Sequence, residues 1–164
     1  DHVHLKGNLF IKDHDLTELD VGGIAKGYAV DLLVERLEEA GFQSIYVEWG
    51  GEIRTKGFHP SGREWRVSLM GLDTLDLSNK SIAASGSCFQ KWSVDNTSYT
   101  HIIDPQTKQP IKVTEYSITR VHVISQTCLQ ADALATALML FNSTDEAEKW
   151  AEQNGIWAFI QNKY

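Results

Sequence analysis

An α+β domain, with helices packed on a largely antiparallel or mixed sheet, is the fold class this sequence predicts. Strand-like segments crowd the middle of the chain and helical segments flank them. The 164 residues suit one domain, long enough for a real core, so residues 1–164 are read as a single unit. No internal repeat, low-complexity tract or interdomain linker interrupts it.

The elements follow in order. Residues 1–19 are polar with short apolar pairs such as Leu9-Phe10-Ile11, which suits an edge strand and a turn. After Asp20-Val21-Gly22-Gly23, the apolar positions Ala25, Tyr28, Ala29, Leu32, Leu33 and Leu37 fall on one helical stripe that ends near Gly41. Gln43 to Trp49 reads as a strand, Gly50-Gly51 as a turn and Ile53 to Gly57 as a short strand before the loop His59-Pro60-Ser61-Gly62. Further strands are expected at Trp65 to Met70, Ser81 to Ala84, Tyr99 to Ile103 and Ser117 to Ser125, with Pro105 and Pro110 bracketing a turn. The Ala- and Leu-rich run from Leu129 to Leu140 favours a helix. Ser143 with Glu146 three residues on opens another helix, and Ile156 to Gln161 closes the fold as a strand.

Composition removes several classes of function. With 42% apolar and 23% charged residues the chain is ordinary for a globular protein. No run approaches the roughly 18 consecutive apolar residues of a membrane span. A net charge of −7, with Lys and Arg scattered in sequence, argues against nucleic acid as a partner. It does not exclude a phosphate ligand, because local N–H groups, a lysine and a cation outweigh screened surface charge. Cys88 and Cys128 form neither a metal motif nor a disulfide framework and read as small buried hydrophobes. The chain opens at Asp1 without a basic, apolar leader, so any targeting segment is expected to lie outside this sequence.

Chemistry gathers in a few segments. Asp20 to Asp31 joins a turn to a helix through three glycines and Lys26. Such a joint lets backbone N–H groups and a helix N-terminus approach an anion, and it also serves as a plain tight turn. Asp132 and Thr136 stand four apart on one helical face in apolar surroundings. An isolated buried carboxylate is costly, so it calls for a partner, either a hard cation such as Mg²⁺ or the backbone donors of a helix N-terminus. His101 and Asp104 lie at a strand end, where alternation sets His101 and Ile103 on one face and Ile102 and Asp104 on the other. An imidazole suits proton transfer, but a lone histidine is more often structural than catalytic. Ala83-Ala84-Ser85-Gly86-Ser87 is a small-residue strand end or turn that a ligand can approach closely. Trp49, Trp65 and Trp92 read as core aromatics rather than stacking platforms.

Taken in order, these segments resemble the ApbE family of FAD:protein FMN transferases. Asp20 to Asp31 is similar to its D-x-G-G-x-A-K-G-x-x-x-D segment, and Trp49-Gly50-Gly51-Glu52 to its glycine pair before an acidic residue. Ala84-Ser85-Gly86 resembles its T-S-G turn, Thr100 to Pro105 its S-H-I-I-D-P strand, and Asp132 to Ala137 its D-A-L-A-T-A metal helix. Departures fall at Ser87, Cys88 and Phe89, and at Glu48, where the family commonly has Asn.

The resemblance implies a function. Asp132 and Thr136, with a backbone carbonyl at Gly23, would bind Mg²⁺. Lys26, Asp31, Ser85, Gly86, Ile102 and Asp104 would line the FAD site, and His101 and Asp132 would be the catalytic residues. The reaction would be magnesium-dependent transfer of FMN from FAD to a Thr or Ser hydroxyl of an acceptor flavoprotein, for example a respiratory redox subunit, with release of AMP. Alternatives are hydrolysis of FAD to FMN and AMP, and a flavin-binding module without turnover. Family members carry a substantial portion ahead of the glycine-rich segment, so the sequence is expected to be the catalytic part of one, or a shortened member. Bacterial members usually sit as lipoproteins on the periplasmic side of the inner membrane. Replacing Asp132 by Ala is expected to abolish metal-dependent activity while leaving folding nearly intact.

Overall fold

The computed structural model describes residues 2–69, 74–87 and 91–162, so Met70, Cys88 and Phe89 lie outside the described residues. Its centre is a five-stranded sheet in the order β12 (Trp157–Gln161), β11 (Arg120–Ser125), β7 (Ser81–Gly86), β4 (Glu52–Lys56) and β3 (Ile45–Trp49). Every described strand pairing is antiparallel. The α+β class with largely antiparallel pairing is as predicted, with the strands divided among several sheets rather than one. β1 (Val3–Lys6) and β2 (Leu9–Lys12) form a separate hairpin, as do β5 (Arg66–Ser68) and β6 (Thr74–Asp76), and β8 (Lys91–Val94), β9 (Thr97–Asp104) and β10 (Gln109–Lys112) form a three-stranded sheet. The β8–β9 turn uses Asp95 and Asn96 at positive φ, which suits a tight hairpin.

Both faces of the central sheet are covered. In β11 the run Val121-His122-Val123-Ile124 is buried throughout, as β-branched residues between two layers tend to be. The register Val121↔Ser85 and Val123↔Ala83 turns one set of side chains toward the helices. There they meet Ala131, Ala135 and Leu138 of α2 (Cys128–Leu138) and Ala147 and Ala151 of α3 (Thr144–Gln153). On the other face Ile53, Ile82 and Ile124 are covered by Val67, Leu69 and Leu77. α2 lies on β7 and β11, and α1 (Ala25–Glu39) lies beside it on β3 and β4.

The caps follow local chemistry. Ser143 opens α3 as expected, its hydroxyl accepting the Glu146 N–H at 3.3 Å. Thr127, whose hydroxyl accepts the Gln130 N–H at 3.3 Å, opens α2 one residue before the expected start.

The predicted stripe of α1 is not its buried face. Gly27, Val30, Asp31 and Val34 are buried, whereas Tyr28, Leu32 and Leu33 are exposed. Gly27 decides this. A Cβ there would lie 2.5 Å from the Cys128 carbonyl oxygen, so only glycine lets α2 cross so closely, and the crossing turns Asp31 inward. Trp49 and Trp92 are likewise exposed rather than core. Trp65 is half-buried and donates its indole N–H to the Lys56 carbonyl at 3.2 Å.

Sheet geometry also places the site. β4 pairs with β7 only at Ile53↔Ile82 and Arg54↔Ser81, while β7 pairs with β11 all the way to Gly86. Beyond Ile82 the outer edge of β7 is no longer covered by β4, and the sheet opens there.

Candidate active site

A cleft of about 1010 Å³ occupies that opening. Its walls are the glycine-rich turn ahead of α1, the Gly50-Gly51 turn between β3 and β4, the end of β7, the middle of β9 and one face of α2. It brings together Gly23, Lys26, Ser85, Gly86, His101, Ile102, Asp132 and Thr136, residues expected to carry chemistry.

Asp132 and Thr136 face the cleft one helical turn apart. Thr136 Oγ1 is 2.9 Å from Ser85 Oγ, which ties α2 to the end of β7. The glycine turn abuts the same corner: a Cβ on Gly23 would sit 3.3 Å from Thr136 Oγ1. Asp132 Oδ2 accepts the Gly27 N–H at 3.0 Å, one of the donors that the first turn of α1 leaves without an intrahelical partner. The expectation that Asp132→Ala leaves folding nearly intact is therefore corrected, because that change strands a buried N–H.

Lys26 Nζ donates to Glu52 Oε1 at 2.6 Å. Glu52 is fully enclosed, and among the described residues its Oε2 has no hydrogen-bond partner. Burial pushes the Glu52 carboxyl above the usual range while Lys26 pulls it down, and the Asp132 charge raises it further. Burial likewise raises the Asp132 carboxyl, opposed by the Gly27 N–H. Two enclosed carboxylates beside one ammonium leave a negative corner.

Among the described residues no three His, Cys, Asp or Glu side chains gather as metal ligands. The corner offers instead a carboxylate, a hydroxyl and the backbone of a glycine turn, all oxygen donors. That set fits a hard cation such as Mg²⁺, which keeps several waters, better than zinc.

On β9, Thr100 and Ile102 are buried and His101 and Ile103 exposed, the alternation the sequence predicts. His101 and Ile102 both reach the cleft. Two expected residues do not. Asp31 is buried behind the crossing, accepting from the Cys128 N–H at 2.8 Å, the Leu129 N–H at 2.9 Å and Arg54 Nη1 at 2.7 Å. A carboxylate so engaged is structural and leaves no face for a nucleotide. Asp104 closes the turn after β9, taking the Gln106 N–H at 2.8 Å and the Thr107 hydroxyl at 2.9 Å, bonds that hold its carboxyl below the usual range.

The ApbE family model matches residues 1–160. The chain belongs to the ApbE family. It is similar to the FAD:protein FMN transferase of Chlamydia trachomatis, 48% identical over 149 residues that make up 90% of this chain and 47% of the relative. The FAD:protein FMN transferase of Chlamydia pneumoniae is 43% identical over 98% of this chain and 52% of its own length. The crystal structure of the apo flavinyl transferase ApbE of Pseudomonas stutzeri superposes with a TM-score of 0.85 at 36% identity, over 97% of this chain and 50% of that one. The chain thus spans about half the length of the curated ApbE relatives it matches.

The ApbE cleft also holds residues that sequence reasoning passed over as site residues. Asp20 lines it and accepts the Gly22 N–H at 2.7 Å, so its carboxylate shapes the glycine turn. Its place at the head of the glycine run was the available signal. Arg120 and His122 reach the cleft from β11, which read only as a strand. A histidine and an arginine interrupting a Val and Ile alternation were the signal there.

Proposed function

We propose that this chain carries the nucleotide- and cation-binding site of an FAD:protein FMN transferase. In this reading FMN passes from FAD to a Thr or Ser hydroxyl of an acceptor flavoprotein, forming a phosphoester and releasing AMP. The observation that carries it is the convergence of Asp132, Thr136, Lys26, the glycine turn, Ser85 and His101 on one cleft.

The attack falls on a phosphorus of the FAD pyrophosphate, and the site has to hold that group and accept its developing charge. Backbone N–H groups of the glycine turn and the first turn of α1 supply donors. Lys26, anchored by Glu52, supplies a fixed positive charge at the same end of the cleft. Asp132 and Thr136 would hold Mg²⁺, which when bound neutralises charge on the phosphoryl oxygens. His101, which lines the cleft, would take or position the proton of the incoming hydroxyl.

Calorimetric titration of FAD with and without Mg²⁺, followed by assay of the same sample for AMP and for flavin on a Thr-containing acceptor peptide, tests this. Magnesium-dependent binding, AMP release and a flavinylated peptide are expected. AMP without labelled peptide would make the chain a pyrophosphatase. Binding without AMP would make it a flavin-binding module.

A further inference from the structure

We propose that His122 is the recognition point of a ring-binding lobe: its imidazole hydrogen-bonds the polar edge of one flat heteroaromatic ring of the bound nucleotide, on the sheet face opposite the cation corner. This rests on the cleft's taking FAD, as proposed above.

The cleft wraps around the end of the sheet. Ser85, whose hydroxyl meets Thr136, lies on the helix face of β7, and its neighbour Ala84 lies on the other face. His122 is the cross-strand partner of Ala84 and of Phe159, so it stands on that other face too. Ile53, Leu69, Ala84 and His122 all line the cleft there, and they form an apolar floor and wall with a single imidazole set into it. A planar ring is the natural occupant of such a surface.

Packing alone does not account for the histidine. It is 3% exposed in a strand whose other buried residues are Val and Ile, and among the described residues its enclosed Nδ1 has no hydrogen-bond partner. A valine would fill a strand position between Ala84 and Phe159 without leaving a polar atom unpaired. Burial and the nearby Arg120 lower the pKa of His122 to about 4, so the ring is neutral near pH 7. With Nδ1 enclosed and unpartnered, the tautomer that avoids stranding an N–H there carries its proton on Nε2. The ring then offers one donor, which matches an acceptor on a ring edge: a carbonyl of the flavin or a ring nitrogen of the adenine. Arg120, two residues along on the same face, also lines the lobe and adds a positive charge close by.

The test follows the imidazole nitrogens of His122 by NMR in the ¹⁵N-labelled chain, with the signals assigned by their loss in His122→Gln. FAD, FMN and AMP are added separately in the presence of Mg²⁺. FAD is expected to shift the Nε2 signal, and whichever of FMN or AMP reproduces the shift identifies the ring. His122→Leu is expected to weaken FAD binding tenfold or more. If FAD moves the amide signals of the glycine turn while the His122 nitrogens stay still, the ring-binding role is overturned and the flavin reading stands. If FAD moves no signal at all, both fall.

Discussion

Asp31 and Asp132 each cap the other's helix. Asp31 of α1 receives the Cys128 and Leu129 N–H groups that open α2, and Asp132 of α2 receives the Gly27 N–H in the first turn of α1. The exchange is possible because Gly27 lets the two helices touch backbone to side chain. It places the glycine turn and the Asp132–Thr136 face in one rigid corner.

Asp31→Ala should lower stability by ~3–5 kcal/mol, since it leaves two buried helix N–H groups without an acceptor and the Arg54 guanidinium with only the longer Glu35 contact at 3.8 Å. Urea denaturation measures this. A loss under about 1 kcal/mol would mean that water or another acceptor replaces the carboxylate.

Asp132→Asn and Asp132→Ala should separate the two tasks of that residue. Asn keeps an oxygen for the Gly27 N–H but removes the charge, so on the proposed reading the response to Mg²⁺ is lost with little change in melting temperature. Ala should cost a further ~1–2 kcal/mol, as loss of a helix cap does. Equal melting temperatures for the two variants would remove the cap from the account.

Gly27→Ala runs against helix propensity. On an exposed helix that change gains about 1 kcal/mol. Here the new Cβ meets the Cys128 carbonyl oxygen at 2.5 Å and the Asp132 Cβ at 2.8 Å, so the helices have to part. Destabilisation of ~1–3 kcal/mol is expected, as for other overpacked sites, together with weakened cation binding. A stabilised variant would refute the close crossing.

His122 should make the chain acid-sensitive in a defined window. Its folded pKa of about 4 lies below the ordinary 6.5, so on acidification the unfolded chain takes up a proton at this site before the folded chain does. Stability from this group is therefore intact above pH 6.5, falls as pH drops toward 4 and changes no further below it. The gap corresponds to about 3 kcal/mol. The difference in urea stability between the parent chain and His122→Gln, followed across pH 7 to 4, should show that slope. A constant difference would mean that His122 titrates normally.

His101→Ala should lower the turnover of FAD with acceptor peptide far more than FAD affinity, because a group acting on the hydroxyl matters chiefly in the transition state. A change confined to affinity would make His101 a binding residue.

Much of the site was legible because its residues sit in short local patterns. The four-residue spacing of Asp132 and Thr136 and the alternation through His101 and Ile102 survive any tertiary context. The buried face of α1 was not legible. The apolar spacing pointed to Tyr28, Leu32 and Leu33, but the face was decided by a glycine contact and a carboxylate that caps a helix end 97 and 98 positions away. Asp31 read as a ligand residue for the same reason: its motif was visible, but the helix end it caps was not. Glu52 carried a local signal in the glycine pair, yet its complete burial depends on Lys26 reaching back from α1.

The exchanged caps also set a timetable. Gly27 leaves the ribosome 105 residues before the carboxylate that completes its turn, a delay of roughly 5–20 s at common rates of synthesis. Until α2 emerges, the Gly27 N–H has no carboxylate to cap it, and closing so long a loop is among the slower steps available to a chain of this size. The corner proposed to hold nucleotide can therefore take its final shape only after α2 has left the ribosome.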